Sequence, residues 1–527
     1  MAKKVNLDAL IPREDFEVED NHKNIGKNTS TLSITDLKED AFFFSAIRKP
    51  DFQRETNEWD PDTICNLIES FLDGELIPAL ILWRSASSFT FVIDGSHRIS
   101  ALAAWINDDY GDGLISKQFY DGKIPDEQIE IAEKTRAMVK KKIGSFLDYQ
   151  LAIKSPEKVD VKIAQRAKSL GALAIQLQWV EGDSSTAETS FFKINQHAAP
   201  IDPTEMRLLK SRKKPNGLVA RAIIRSGKGH KYWSRFTENK QLEIQELAKE
   251  VHDILFTPHL KNPIKTLDLP IGGSIYASQT LPLVLDFVNI VNGVKPKIDE
   301  VTHDELQDDI DGNLTIKFLN NCRKVARRIN SKHPGSLGLH PAVYLYSQTG
   351  RHKIASFYAI TALILEFENS RNTKISYTEF TKVRETFEEI ILENDYLIQQ
   401  IVRRHRSALK AYTYIKDFYL NIILKLSGGK DKEKVIDEIL QSKEFNYLTS
   451  ISSSDPIVQG GKFSAKTKSA VFMKEALEKA LKCKLCNGYI HANAITIDHI
   501  VRKQDGGQGT LENGQFSHPF CNTTMKN

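Results

Sequence analysis

The sequence predicts an α+β protein of several domains: an N-terminal α/β domain, a mostly helical middle, and a small zinc-stapled module at the C-terminus. Three observations carry this. Short β-rich runs alternate with helical patterns only before about residue 215. From there to about Phe445 the apolar spacing is mostly helical. Three of the five cysteines, Cys483, Cys486 and Cys521, crowd the last stretch of the chain. A length of 527 residues exceeds one typical core and suits about two to four domains.

Composition narrows the class. Hydrophobic residues make up 41% and aromatics 9%, enough to build cores, which excludes wholesale disorder. A net charge of only +4 excludes a histone-like binder, so any nucleic-acid contact must come from local basic patches. An odd, sparse set of cysteines, with Cys65 and Cys322 isolated, suits a reducing compartment and a metal knuckle better than a disulfide framework. The opening Met-Ala-Lys-Lys-Val-Asn lacks the apolar run of a secretory signal. The best apolar stretch, Ala355 to Phe367, is too short to span a bilayer. The expectation is a cytoplasmic protein with no membrane partner.

Residues 1–40 are polar and charged and read as a loosely ordered arm. Residues 41–215 read as the α/β domain. Within it Asp60 caps a helix with Pro61 at its first position, running to about Gly74. Ala79 to Trp83 and Phe89 to Ile93 are strands joined by a polar Ser-Ala-Ser-Ser loop. Asp94-Gly95 ends the second strand, and an Ala/Leu-rich helix starts near Arg98. Ala172 to Val180 is a further strand, and Asp202 a further helix cap. The helical domain occupies 216–449, with helices over Leu242 to Leu255, Ile354 to Asn369 and Tyr377 to Asn394. Residues 450–468, rich in Ser and Gly, read as a linker, and 469–527 as the terminal module.

That module reads Cys483-Lys-Leu-Cys486, Asp498-His499, Gly506-Gly507, Asn513, His518-Pro-Phe-Cys521-Asn522 and Lys526. Two pairs of soft ligands, CxxC and HxxC, suit one tetrahedral Zn²⁺ that staples a module too small to build much core. This ordering resembles the HNH, or ββα-metal, endonuclease family over about Leu481 to Lys526. The resemblance implies that Asp498 and Asn522 bind a catalytic Mg²⁺ or Mn²⁺ and that His499 is the general base. It also implies that Asn513 holds the loop and that Lys526 contacts phosphate. His518 stands where the family commonly has cysteine. Reading it as a ligand completes a Cys₃His site; reading it as substrate-facing leaves the site incomplete.

Near the other end come Phe52-Gln53-Arg54, Trp59, then Ile93-Asp94-Gly95-Ser96-His97-Arg98, and later Phe192-Lys-Ile-Asn195 with Glu205. These resemble the ParB/sulfiredoxin-like domain that opens GmrSD-type restriction enzymes and the phosphorothioate-sensing nuclease SspE. The resemblance implies a phosphate or nucleotide site at Gln53, Arg54, Asp94, Gly95, Ser96, His97 and Arg98. A sharp glycine turn, a helix N-terminus and a guanidinium suit phosphate oxygens. Ser96-His97 replaces the glutamines of close relatives, which bears on hydrolysis more than on binding. The plainer reading of Asp94-Gly95-Ser96-His97-Arg98 is a strand-to-helix turn with Arg98 in a structural salt bridge.

Basic clusters at Lys210 to Lys214, Arg221 to Lys231, Arg323 to Arg328 and Arg403 to Arg406 are candidate DNA-tracking faces, Arg403 and Arg404 foremost, although for any one cluster a solvated helix face is the plainer reading. Tyr232, Trp233 and Phe236 are either a modified-base sensor or core. The combined expectation is a DNA endonuclease of a prokaryotic anti-phage, restriction-type system, governed by a nucleotide-binding or modification-sensing domain. Its expected cofactors are Mg²⁺ or Mn²⁺, structural Zn²⁺ and a nucleoside triphosphate, with NTPase activity at the N-terminal site. Its expected partners are DNA, modified phage DNA included, a nucleotide, and either a second copy of the chain or accompanying defence proteins. Two other readings remain open at this stage: a nucleotide-switched DNA clamp with a zinc-ribbon anchor and no cleavage, and an RNA-directed toxin.

Overall fold

The two strands read on either side of Ser85 to Ser88 lie at the centre of a six-stranded sheet in a computed structural model of the chain. The structure describes all residues except 1–3, 15–27, 51–52, 54–55, 121, 123, 125, 199–206, 208–209, 229–231, 276–279, 296–305, 369–374, 451–462 and 526–527. Arg54, Lys526, Phe52, Asp202 and Glu205 therefore lie outside the described residues.

The chain divides into two compact units, one of residues 1–212 with 228–232, the other of 213–227 with 233–527. In the first unit the strands are β1 (Arg13–Glu14), β2 (Thr31–Ser33), β3 (Ile47–Pro50), β4 (Leu80–Arg84), β5 (Thr90–Asp94) and β6 (Ala174–Val180), in spatial order β1-β3-β5-β4-β6-β2. β4 and β5 pair antiparallel across the Ser-rich loop, while β3 and β5 run parallel with Ile47 opposite Thr90. Helix Pro61–Leu72 begins as read: the Asp60 carboxylate accepts the Thr63 N–H at 2.9 Å and Pro61 sits at the first position. Helix Ser96–Ile106 is buried along nearly its whole length, as its Ala/Leu composition requires.

The loosely ordered arm expected over residues 1–40 is corrected in its described parts. Val5, Leu7, Leu10, Ile11, Leu32 and Leu37 all belong to the main hydrophobic core of this unit. The polarity that suggested an arm is itself put to use. Asp8, fully buried, takes a bidentate pair of bonds from Arg13 at 2.5 and 2.8 Å and one from Lys49 at 2.7 Å. A buried carboxylate survives only when paired and hydrogen-bonded, so these charges are internal structure rather than a solvated tail.

The second unit is a helical array with the terminal module on the same body. Helix Ile354–Glu368, which contains the stretch weighed for a membrane span, is apolar on every side until Glu366. It is packed by helices Thr280–Val291, Asn313–Ile329 and Ala408–Ser427. All-round apolarity marks a central core helix as well as a membrane one. No helix among the described residues is long and apolar enough to cross a membrane. The linker reading also runs too far, because helix Ala465–Glu478 begins inside it, with the Ser464 hydroxyl accepting the Thr467 N–H. The aromatic sensor reading gives way as well. Trp233 is completely buried and Phe236 nearly so, hence both are core. The Arg323 to Arg328 cluster is an ion-pair lattice, with Arg323 and Arg327 on Glu250, and Lys324 and Arg328 on Glu368.

Candidate active site and metal centre

The terminal module is built on a two-stranded hairpin, β7 (Thr496–His499) and β8 (Gly514–Ser517). A single wide helical turn, Cys521–Met525, follows it. The antiparallel register sets Asp498 opposite Gln515 and His499 opposite Gly514. Adjacent strand residues face opposite ways, so the Asp-His pair is split across the ribbon. Asp498 is 5% exposed and accepts a bond from Gln515 Nε2 at 2.9 Å. His499 is half-buried on the other face, and its cross-strand neighbour, being glycine, leaves room beside the imidazole.

Asn513 closes the loop between the strands. Its Oδ1 accepts the Val501 N–H at 2.7 Å, and its Nδ2 donates to the carbonyls of Val501 (3.1 Å) and Gln508 (2.7 Å). Its own carbonyl accepts the Ile500 N–H at 2.8 Å. The backbone at Gly507 passes so near Val501 that a Cβ there would sit 1.8 Å from the Val501 carbonyl oxygen. Only glycine fits this close approach. Asn522 reaches back to the same strand, its Nδ2 lying 3.4 Å from both the Ile497 carbonyl and Thr496 Oγ1. Asn513→Ala removes three side-chain bonds of about 1 kcal/mol each. The expected outcome is faster amide exchange over 500–513 with the zinc content unchanged.

Beside the hairpin, the ligand atoms of Cys483, Cys486, His518 and Cys521 all lie within 4.8 Å of one another, and all four residues are buried. His518 Nδ1 is 3.4 Å from Cys486 Sγ and 3.8 Å from Cys521 Sγ. A tetrahedron with Zn–N about 2.0 Å and Zn–S about 2.3 Å has N···S edges of about 3.5 Å, so the donor set fits zinc. His518 Nε2 lies 3.0 Å from the Tyr489 carbonyl. Donation there directs Nδ1 at the cluster. Burial lowers the His518 pKa, which favours the neutral, ligating ring. His518 is completely buried. It faces the cysteines, and the substrate-facing alternative fails.

In the first unit, the parallel pairing of β3 and β5 opens their C-terminal ends on one edge of the sheet. That edge carries Gln53, just after β3, and the Asp94-Gly95 turn. Crevices at the carboxyl ends of parallel strands are where α/β folds bind ligands. Gly95 adopts φ 103°, and a Cβ there would meet Leu80 Cδ2 at 2.3 Å. The helix it opens has no side-chain cap. The Arg98 Nη2 donates to Asp94 Oδ2 at 2.7 Å and to the Ala79 carbonyl at 3.3 Å, so the salt bridge of the plainer reading is present. Arg98 Nε and Gln53 Oε1 are buried, with no hydrogen-bond partner among the described residues. Ser96 is buried, and the His97 ring packs 5.5 Å from that of Trp59.

Sequence reading did not find Gln515, nor Asp8, Arg13 and Lys49. Arg13 donates to the Gln53 carbonyl, so the buried triad also holds the loop that carries Gln53. No local motif flags an ion pair between residues 41 positions apart.

Residues 34–212 match the family described as GmrSD restriction endonuclease, N-terminal domain, and residues 483–527 match HNH endonuclease. No curated protein and no solved structure gives a significant match to the chain. These two matches, with the Cys/His cluster within the second, support a nuclease of the restriction type. Within that class, the chain joins a GmrSD-type N-terminal domain to a C-terminal HNH endonuclease domain.

Proposed function

We propose that this chain is a DNA endonuclease of a prokaryotic anti-phage system, in which the hairpin hydrolyses phosphodiester bonds and the N-terminal domain restrains it until a nucleotide or DNA modification is sensed. The observation that carries the reading is the Asp498-His499 pair on a ribbon whose loop Asn513 staples, with Asn522 folded back onto the same strand. A structural anchor has no use for that arrangement. Asp498 and Asn522 offer two oxygen ligands, the small protein share typical of Mg²⁺ or Mn²⁺ sites completed by substrate phosphate. Such an ion, when bound, neutralises the charge developing on phosphorus. His499 accepts the proton of the attacking water, and Asn513 keeps that imidazole aimed. Arg403 and Arg404, both exposed at the end of helix Asp395–His405, supply a backbone-tracking face. The uncapped helix at Gly95 and the partnerless Arg98 Nε support phosphate binding at the N-terminal site. Lys526 serves as a phosphate contact and Arg54 as a neighbour of Gln53 in the same scheme.

The test incubates the full chain with supercoiled plasmid and, separately, structured RNA, in EDTA, Mg²⁺ or Mn²⁺, with and without nucleoside triphosphates. Metal-dependent conversion of plasmid to nicked or linear form is the expected result, with RNA left intact. Cleavage of RNA alone would reassign the substrate. No cleavage of unmodified, modified or phage DNA in any condition would leave a zinc-anchored DNA clamp.

A further inference from the structure

The Cys₃His cluster does not stand on its own module. Its surroundings are completed by the helical array, a part of the chain that neither family match covers. At the centre is Arg384, on helix Tyr377–Glu393, a fully buried guanidinium. Its Nη1 lies 3.3 Å from His518 Nδ1 and donates to the Leu337 carbonyl at 2.5 Å. Its Nη2 donates to the Gly338 carbonyl at 3.1 Å, and its Nε to Glu388 Oε1 at 2.7 Å. Glu388 in turn accepts the Tyr489 N–H at 2.8 Å, inside the knuckle, and the Tyr344 hydroxyl at 2.8 Å. Around this pair the array grips the module again. The Phe520 N–H donates to the Ser336 carbonyl, Thr523 Oγ1 to Pro334, and Asn487 Nδ2 to Glu385.

The chemistry asks for a cation at that place. A divalent zinc held by three thiolates and one neutral imidazole carries a single net negative charge, and a buried charge without a partner is costly. Arg384 is the buried cation that touches the ligand set. Its planar fork donates to two carbonyls and a carboxylate at once, which a lysine ammonium cannot copy, and with zinc on His518 Nδ1 its contact with that nitrogen is electrostatic rather than a hydrogen bond.

We propose that Arg384 is the outer-sphere cation of the metal centre and the positioning residue that seats the nuclease hairpin on the helical array. This rests on the zinc reading of the cluster. The helical region is then part of the nuclease fold, and cutting the chain near residue 455 separates the metal site from Arg384 and Glu388.

The test measures zinc content of the full chain, then zinc release to excess EDTA with a colorimetric chelator. Arg384→Met alone strands the Glu388 carboxylate, so the principal variant is Arg384→Met with Glu388→Leu. Release at least about 10-fold faster than wild type is expected, in line with the usual cost of losing an outer-shell partner. Hydrogen exchange over 483–525 should rise while residues 80–106 keep their protection. Arg384→Lys, which preserves charge, should fall between. The control is Lys353→Met with Asp395→Leu, which removes another largely buried ion pair (2.6 Å) of the same unit and should leave zinc release unchanged. Wild-type release in a folded double variant overturns the proposal, as does equal acceleration in the control. If the double variant does not fold, Arg384→Lys decides alone, and wild-type release there also overturns it. A wild-type chain that carries no zinc would instead overturn the zinc reading itself.

Discussion

His499→Ala is expected to lower plasmid cleavage by about 10²–10⁴-fold, the usual share of a positioned general base. The site's geometry says why so large an effect should come without collateral damage. The imidazole lies on the half-exposed face of β7, opposite a glycine. Among the described residues, no hydrogen bond of its ring holds the hairpin together. The ribbon is fastened elsewhere, by the Thr496 hydroxyl on the Ser517 carbonyl at 2.9 Å and by the Asn513 staple. Zinc content, thermal stability and DNA affinity should therefore match wild type. Those three measurements separate a chemical role from a structural one. A variant that cuts at the wild-type rate sinks the general-base assignment. A variant that loses zinc or DNA binding shows that the ring has structural work instead.

The second large effect concerns the metal centre. Cys483→Ala should empty the zinc site and release the hairpin. With one thiolate gone, three ligands and an unfilled corner remain, inside a pocket where water cannot easily substitute because all four ligands are buried. Structural zinc in isolated finger peptides contributes an apparent 10–16 kcal/mol, on the order of a whole domain's stability. The loss here should be smaller, because the helical array holds Phe520, Thr523 and Tyr489 independently of the metal. The expected signature is local: amides of 483–525 exchange freely, cleavage disappears, and the sheet of the first unit keeps its protection. Zinc analysis paired with hydrogen exchange reads both. Full protection of the hairpin in a zinc-free variant would mean that the array alone folds the module.

Much of the candidate site was legible because its determinants are local. Asp60 before Pro61, the Asp94-Gly95 break, the CxxC and HxxC spacings, and the Asp-His pair inside a β-prone run each depend on neighbours within a turn or a strand. His518 is instructive. Spacing left it ambiguous between ligand and substrate contact, and burial beside Cys486 removed the ambiguity. Where the reading failed, charge was taken at face value. Asp8 and Arg13 looked like a solvated arm because their partners, including Lys49, are distant in sequence. Trp233 and Phe236 stood open between a base sensor and core, and their burial decides for core. Arg323 to Arg328 stood open between a DNA track and a solvated helix face, and the structure sets Glu250 and Glu368 opposite it.

The amino-acid sequence by itself determined the α/β start, the helical middle and the CxxC and HxxC spacings at the C-terminal end, because periodicity and short-range spacing are properties of the chain alone. Only the tertiary structure decided which charges are internal, that the terminal module shares one body with the helices, and that Arg384 and Glu388 pack against the Cys/His cluster and its knuckle. Those facts depend on pairs such as Arg384 and His518, 134 positions apart, and on the exclusion of water that makes an ion pair or a carbonyl contact count.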